Sequence, residues 1–164
     1  MRMRLFIFVV VAMVCAFNAQ AGQLSEYDRQ IVASCMVLEA ACDGAEGMQA
    51  VLNVILTRAD GYLHQLVGQT TKHGAFSCMS SVWRTSSPNY SPLITRAQEH
   101  GETYEKALQL IAIMEQGLLW DNTYGATHYH ATSIRPYWVS DMSYITTIGG
   151  HHFYTDQARQ VASL

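Results

Sequence analysis

The sequence predicts an α+β domain: a helical body followed by a small antiparallel β-sheet near the C-terminus. Apolar residues recur at helical spacing through much of the first 120 residues. Beyond them the composition changes to tyrosine, threonine, isoleucine and histidine with scattered glycine, which is typical of strands and loops. Helices followed by strands are the order of an α+β domain, and 164 residues suffice for one such domain.

The first residues have the three parts of a secretory signal. Arg2 belongs to a positive start, an apolar run covers residues 5–17, and Ala-Gln-Ala occupies 19–21. The run is shorter than the about 20 residues that a membrane-spanning helix needs. We therefore expect residues 1–21 to be a cleaved signal peptide. Residues 22–164 would be exported, periplasmic or secreted, without a stable membrane anchor; the alternative is an uncleaved anchor.

The charge balance argues against nucleic acid as a partner. The whole chain has a net charge of −3, and removing the signal would take away two arginines and no acidic residue, which leaves −5. No run of lysine or arginine interrupts this mildly acidic composition. Because nucleic-acid binding needs a basic surface that neutralises phosphates, we exclude that class of protein. The sequence predicts no particular oligomeric state.

Three long helices are predicted in the first part of the chain. Ser25 can cap a helix over 26–41, since its hydroxyl can accept a hydrogen bond from a backbone N–H of the first turn. Asp43-Gly44 ends that helix, because glycine readily adopts the left-handed conformation that follows a helix. The spacing of apolar residues then predicts helices over 45–59 and 103–119.

The other segments predict a loop and a hairpin. Residues 84–92, rich in serine and proline, are expected to form a surface loop. Near the C-terminus two β-forming runs, Tyr144–Ile148 and His151–Tyr154, are joined by Gly149-Gly150, which is typical of a hairpin with a two-residue turn. No internal repeat is present, so we predict one domain.

Glu39 is the first candidate for chemistry. It lies near the end of the first predicted helix, among methionine, valine, leucine and alanine residues. The apolar surroundings and the negative end of the helix dipole both disfavour a charged carboxylate. A carboxylic acid that keeps its proton can protonate a glycosidic oxygen, which is the role of a general acid. The alternative is a glutamate on the helix surface that faces solvent.

Asp43 lies four residues after Glu39. If the helix continued, the Cβ atoms of the two residues would be about 5–6 Å apart. A close pair of carboxylates suggests retaining glycoside hydrolysis. Because Asp-Gly is also a common helix terminator, the alternative is that Asp43 is a cap or turn residue.

Histidines in two segments could form a metal site. His128 and His130 would share one face of a strand, with His151 or His152 across the sheet. Three imidazoles that meet a carboxylate would suit zinc. However, no HExxH or comparable metal-ligand spacing is present. We therefore expect no metal and no other cofactor, with one histidine binding substrate and the others being solvated strand residues.

Aromatic residues concentrate in the C-terminal region. Their flat faces suit sugar rings, and tyrosine adds a hydroxyl group. The alternative is core packing, which we expect for Phe153. The aromatic residues considered are Phe76, Trp83, Trp120, Tyr124, Tyr129, Tyr137, Trp138, Phe153 and Tyr154.

Three cysteines follow the predicted signal peptide. In a helix, Cys35 and Cys42 would have Cα atoms about 10.5 Å apart, beyond the roughly 7 Å limit for a disulfide. An exported protein meets oxidising conditions. We therefore expect a Cys42–Cys78 disulfide, with Cys35–Cys78 as the second choice and unpaired buried thiols as the alternative.

Five motifs occur in order along the chain: LEAACDGAEGMQAVLNVILTRA, GAF, GATHYHA, PYW and IGGHHFY. Together they resemble the cell-wall hydrolase family typified by the spore-cortex-lytic enzyme SleB, over roughly residues 28–155. Two positions depart from the pattern: Asp43 stands where many members carry a second glutamate, and Thr57 where many carry asparagine. The resemblance implies a lysozyme-like α+β fold, with residues 22–164 as the catalytic domain.

The resemblance also implies an activity and a set of site residues. Members are associated with lytic transglycosylase activity on peptidoglycan glycan strands, cleaving between N-acetylmuramic acid and N-acetylglucosamine and leaving a 1,6-anhydro end. The family's catalytic glutamate falls on Glu39. We expect the substrate-binding residues to be Asp43, Phe76, Tyr129, His130, Trp138, His151 and Tyr154.

In such a reaction the muramoyl C6 hydroxyl attacks within its own sugar, so one residue can be both acid and base. Glu39 would protonate the leaving oxygen and then take a proton from the C6 hydroxyl. The high effective molarity of the attached nucleophile is worth up to about 7–11 kcal/mol.

Three alternatives remain for the activity. They are a muramidase that uses water, a zinc-dependent amidase or peptidase built on His128, His130 and His151, and a non-catalytic wall-binding or virion-structural domain. A bacterial wall-remodelling enzyme and a bacteriophage endolysin both fit the resemblance.

Overall fold

The computed structural model describes residues 23–84 and 88–156, so the predicted signal peptide lies outside the described residues. Within that part of the chain the helices are α1 (Glu26–Ala40), α2 (Gly44–Arg58), α3 (Leu66–Thr71), α4 (Ser91–Gln98) and α5 (Glu102–Glu115). The strands are β1 (His128–Ala131), β2 (Met142–Ile148) and β3 (His151–Asp156). Short 3-10 segments cover Ala41–Asp43, Leu63–Gln65, Ser77–Arg84 and Tyr137–Asp141. The predicted α+β class is confirmed.

Helix α1 forms the centre of the helical body. The predicted cap is confirmed, because the Ser25 hydroxyl oxygen accepts a hydrogen bond from the Asp28 backbone N–H at 3.1 Å. Ile31, Val32 and Cys35 are fully buried, and the helix packs against α2, α4 and α5. No helix among the described residues has both the length and the apolar character needed to cross a bilayer.

The junction between α1 and α2 departs from continuous helix. Helix α1 ends at Ala40, a 3-10 turn covers Ala41–Asp43, and Gly44 begins α2 with a φ of +66°. The predicted boundaries of both helices are therefore correct to within one residue. The turn also removes the four-residue helical stacking that would have placed Asp43 directly above Glu39.

Two other boundaries differ from the prediction. The segment predicted as a loop over 84–92 already contains the start of α4 at Ser91. Pro92 lies in the first turn of that helix, where a missing backbone N–H breaks no hydrogen bond. Helix α5 ends at Glu115 rather than at 119, because Gly117 adopts the left-handed conformation with a φ of +70°.

The sheet has the strand order β1-β3-β2 with antiparallel neighbours. The predicted hairpin is confirmed, with Gly149-Gly150 joining β2 to β3. Tyr129 lies opposite Phe153, and His130 opposite His152. Because side chains alternate along a strand, the first pair faces the helices and the second faces away from them. We call these sides the inner face and the outer face of the sheet.

The inner face packs on α2. Ile148 and Phe153 form a buried cluster with Ala50 and Val54 of α2 and with Ala126. The expectation that Phe153 belongs to the core is confirmed, since only 1% of its surface is exposed. This packing brings the inner face of β1 and β3 next to the end of α1, where Glu39 lies.

Candidate active site

Three hydrogen-bond donors surround the Glu39 carboxyl group. We call the carboxyl group and these donors, from Ser77, Cys78 and Tyr129, the Glu39 cradle. Oε1 accepts from the Ser77 hydroxyl at 2.9 Å and from the Cys78 backbone N–H at 2.8 Å. Oε2 accepts from the Tyr129 hydroxyl at 3.1 Å. The residue is only partly buried, so its carboxyl group is held in one orientation while remaining accessible. The expectation of apolar surroundings holds for its neighbours along the helix but not for the carboxyl group, because the segment after Phe76 and strand β1 both bring polar groups to it.

The two oxygens of Glu39 have different partners. A backbone N–H can only donate, so Oε1 must remain an acceptor for Cys78. The Tyr129 hydroxyl can donate to a carboxylate or accept from a carboxylic acid. Oε2 is therefore the oxygen that can carry a proton without losing its hydrogen bond.

Tyr129 lies on the inner face among other rings. Its ring centroid is 5.2 Å from His151, 5.5 Å from Phe153 and 6.3 Å from Phe76. Burial, and next the charge of the neighbouring Glu39, raise the pKa of Tyr129 well above its ordinary value. The hydroxyl group consequently stays protonated across the working range of pH and remains available as a donor.

Asp43 connects the α1–α2 junction to the β2–β3 hairpin. Oδ2 accepts a hydrogen bond from His151 Nδ1 at 2.7 Å, and Oδ1 accepts one from the Gly150 backbone N–H at 2.8 Å. A methyl group at either Gly47 or Gly149 would overlap the Asp43 side chain. Both carboxylate oxygens are thus occupied in an enclosed contact, which we call the Asp43 brace. Asp43 lies in the turn between α1 and α2, as the turn-residue alternative has it, but its side chain caps no helix and bonds to the hairpin instead.

The residues predicted to bind substrate lie on two sides of the sheet. Tyr129 and His151 are on the inner face with Glu39. His130 and Tyr154 are on the outer face, where their rings stack at 5.2 Å and His130 Nε2 is 3.1 Å from the Tyr154 hydroxyl. They line an outer-face cavity of about 400 Å³. The structure therefore does not bring these two residues to Glu39.

Trp138 lies at the border between the two sides. Its ring centroid is 5.5 Å from that of His128 and 5.7 Å from that of Tyr154. It also lines a second cavity, of about 500 Å³, together with Tyr129 and Lys72. This cavity shares Tyr129 with the cradle, whereas Glu39, Ser77 and Cys78 do not line it.

The histidines of the zinc alternative do not converge. His128 and His130 both contact the ring of Trp138, whereas His151 lies on the inner face bonded to Asp43. Among residues 23–84 and 88–156, no group of three or more histidine, cysteine, aspartate or glutamate side chains is arranged to hold a metal ion.

Ser77 and Cys78 were not predicted as site residues. They directly follow the GAF motif, at the start of a short helical segment. Their position next to this motif is the feature of the sequence that could have indicated them as site residues. Arg58 was also missed: its Nε donates to the Thr127 carbonyl at 2.6 Å and its guanidinium carbon lies 5.1 Å from the Phe76 ring centroid. Arg58 thereby holds in place both the start of β1 and the ring of Phe76, the residue before Ser77 in the sequence.

The expected Cys42–Cys78 disulfide is wrong. Cys35, Cys42 and Cys78 are all free thiols. The 3-10 turn after α1 exposes Cys42 to solvent, whereas Cys78 is buried with its Sγ 3.8 Å from Cys35 Sγ. The two thiols in contact are therefore those of the second-choice pair.

The His128 imidazole predicts a pH dependence of stability. Burial, and next the charge of Arg58, lower the pKa of His128 below its ordinary value of 6.5. The unfolded chain then binds a proton more readily than the folded chain, so stability is lost as pH falls below 6.5 towards the folded-state pKa. We expect His128→Asn to reduce this loss in denaturant unfolding measured from neutral to acidic pH. The exposed His100, changed to asparagine, is the control, and an unchanged pH dependence in His128→Asn would contradict the expectation.

The fold matches that of proteins of known structure. The catalytic domain of the Bacillus cereus SleB protein is 23% identical, with a TM-score of 0.58 over 82% of this chain and 94% of that one. The catalytic domain of the germination-specific lytic transglycosylase SleB from Bacillus anthracis is also 23% identical, with a TM-score of 0.59 over 82% and 98% of the two chains. No curated protein shows a significant sequence match.

A model of one protein family, described as Cell Wall Hydrolase, matches residues 42–154. That segment is more than half of the chain and contains the Asp43 brace, Tyr129, strands β1 and β2, and the first four residues of β3. Glu39 precedes it by three residues. The chain therefore belongs to the cell wall hydrolase family.

Proposed function

We propose that this cell wall hydrolase is an exported lytic transglycosylase. It cleaves the β-1,4 bond between N-acetylmuramic acid and N-acetylglucosamine in peptidoglycan glycan strands, with Glu39 as acid and base. The observation that carries the proposal is the Glu39 cradle, in which three donors orient a partly exposed carboxyl group. One of the three donors, Tyr129, also lines a cavity of about 500 Å³. The activity named for the Bacillus anthracis relative supports the same reaction.

In the first step Glu39 acts through Oε2. This oxygen can hold a proton while it keeps its hydrogen bond to Tyr129, so the protonated carboxyl group remains oriented. Transfer of that proton to the glycosidic oxygen breaks the bond to the leaving sugar and leaves a carboxylate. The donors from Ser77, Cys78 and Tyr129 then stabilise the new negative charge.

In the second step the carboxylate acts as a base. It takes the proton from the muramoyl C6 hydroxyl as that oxygen bonds to C1 of the same sugar, and the anhydro ring closes. Glu39 regains its proton, so the cycle is balanced without water. Positioning the attached nucleophile contributes up to about 7–11 kcal/mol of barrier reduction.

The Asp43 brace favours the transglycosylase over a hydrolytic muramidase. Most glycoside hydrolases use two carboxylates, of which the second activates water or attacks the sugar. Asp43, the neighbouring carboxylate along the chain, has both oxygens bonded to the hairpin. Intramolecular attack needs no second free carboxylate, so one available glutamate suffices.

Product analysis in water labelled with heavy oxygen tests the proposal. Digested sacculi should release muropeptides with 1,6-anhydro ends that contain no oxygen from the labelled water. A muramidase would leave reducing muramic acid ends that carry one labelled oxygen for each cut. An amidase would release free amino groups instead. Either of these product sets would contradict the proposal.

Tyr129→Phe should lower kcat with little effect on KM. The substitution keeps the ring packed against His151 and Phe153 but removes the donor to Oε2 of Glu39. A hydrogen bond to a charged group is worth about 1.5–3 kcal/mol, so we expect a roughly 10- to 100-fold fall in kcat. The control is Tyr144→Phe on the exposed part of β2. Equal kcat in the two variants would show that the Tyr129 hydroxyl does not position Glu39 for catalysis.

A further inference from the structure

Cys35 and Cys78 form a buried pair of thiols directly behind the Glu39 cradle. Cys35 is fully buried on α1 and Cys78 is 8% exposed in the 3-10 segment Ser77–Arg84. Their Sγ atoms are 3.8 Å apart, in van der Waals contact. Cys42 is exposed and does not share this contact.

Each thiol is joined to Glu39 through a short path. Cys35 precedes Glu39 by four residues, so the two side chains lie one above the other on α1. Cys78 donates its backbone N–H to Glu39 Oε1 at 2.8 Å, and the preceding Ser77 donates its hydroxyl at 2.9 Å. A bond between the two sulfurs would tie the segment that carries two of the donors to the helix that carries the acceptor.

We propose that Cys35 and Cys78 are an oxidation site, and that their disulfide locks the Glu39 cradle. The sulfurs need to approach from 3.8 Å to the roughly 2 Å of a disulfide bond. The disulfide itself does not depend on the proposed function. Its effect on glycan cleavage rests on that function.

The oxidant is a disulfide, either of a protein oxidoreductase or of glutathione. The Cys78 thiolate attacks one sulfur of this disulfide and releases the other as a thiol, which leaves a mixed disulfide on Cys78. Cys35, once deprotonated, attacks the Cys78 sulfur, and the second oxidant thiol leaves. The two cysteines lose two electrons and two protons, and the oxidant is reduced to two thiols.

The order of attack follows from burial. Desolvation, and next the contact with Cys78, raise the pKa of the Cys35 thiol well above its ordinary value. Cys35 is therefore a poor first nucleophile, and the slightly exposed Cys78 reacts first. Cys42, which is exposed, is the competing site and must be removed for a clean measurement.

The test uses the mature chain with Cys42→Ser, equilibrated in reduced or oxidised glutathione. Alkylation and peptide mass spectrometry count the free thiols, and thermal unfolding gives the midpoint. We expect the oxidised protein to lose both free thiols, to yield a linked peptide pair containing Cys35 and Cys78, and to unfold about 5–15 °C higher than the reduced protein. Glycan cleavage should survive to a correspondingly higher temperature.

A double variant, Cys35→Ser with Cys42→Ser, is the matched control. It retains Cys78 alone, which can form only the mixed disulfide with glutathione, so it should yield no linked peptide pair and its unfolding midpoint should not rise in oxidised glutathione. Two free thiols in the Cys42→Ser protein after treatment with oxidised glutathione would overturn the proposal. An unfolding midpoint that is the same in reduced and oxidised glutathione would do so too. Because thiol counts and midpoints need no substrate, a protein that forms the disulfide but cleaves no glycan in either buffer would count against the proposed function and not against the disulfide. Cleavage by the reduced protein alone would contradict the expected effect of the disulfide on activity.

Discussion

Replacing Glu39 with glutamine should reduce glycan cleavage about 100- to 10,000-fold, the range by which general acid–base catalysis accelerates reactions. Glutamine has the same shape as glutamate, and its carbonyl oxygen can still accept the Cys78 backbone N–H. It cannot carry and release a proton, so both chemical steps lose their acid and base. The measurement is the initial rate of muropeptide release from sacculi, with kcat determined at saturating substrate.

The control for this substitution is Glu46→Gln. Glu46 is an exposed glutamate in the first turn of α2, so the change removes the same charge outside the cradle. Thermal unfolding of both variants should stay close to the wild-type midpoint. Comparable rates in Glu39→Gln and Glu46→Gln, with both proteins folded, would remove Glu39 from catalysis.

Gly149→Ala should destabilise the fold by about 2–5 kcal/mol. Gly149 has a φ of +54°, where a Cβ atom costs about 1–2 kcal/mol, and the added methyl group would overlap the Asp43 carboxyl group. Overpacking at a filled site adds about 1–3 kcal/mol. The hairpin turn must then move away from Asp43, which breaks the hydrogen bonds to Gly150 and His151. Denaturant unfolding measures the loss.

Gly101→Ala separates the two contributions. Gly101 has a φ of +53°, but nothing lies within 4 Å of an added Cβ atom. It therefore reports the backbone strain without the overlap, and we expect it to cost less than Gly149→Ala. If the two substitutions were equally destabilising, the close packing around Asp43 would contribute nothing to the free energy of unfolding.

Much of the fold could be predicted because local patterns determine it. Apolar spacing and the Ser25 cap located α1 and α2 to within a residue, and Gly149-Gly150 located the hairpin. Helix α4 was missed because serine and proline are as common in surface loops as in the first turn of a helix. Its burial depends on packing against α1, which no local pattern around Pro92 reveals.

The candidate site could be predicted only in part. Glu39 stood out because a carboxylate in an apolar helix is unusual, and Tyr129 and His151 do lie beside it or beside Asp43. His130 and Tyr154 were expected there too, but their side chains point to the outer face. Which face of a strand packs on a helix depends on how the sheet is placed on α2. That placement is a matter of tertiary structure and cannot be read from the residues of the strand alone.

The donors in the cradle are set by tertiary structure as well. The Cys78 backbone N–H has no signature in the amino-acid sequence, because every residue except proline carries one. The predicted Cys42–Cys78 disulfide was wrong for a related reason. The exposure of Cys42 depends on the 3-10 turn at Ala41–Asp43, which replaces the last turn of a continuous helix.

The most direct test of the account measures binding and cleavage of sacculi in one experiment, with the wild-type protein and Glu39→Gln side by side. Protein that sediments with the sacculi reports binding, and mass spectrometry of the supernatant reports released anhydromuropeptides. The account predicts that both proteins bind and that only the wild type releases anhydromuropeptides. Equal release by the two proteins, or binding by both with no release by either, would contradict it.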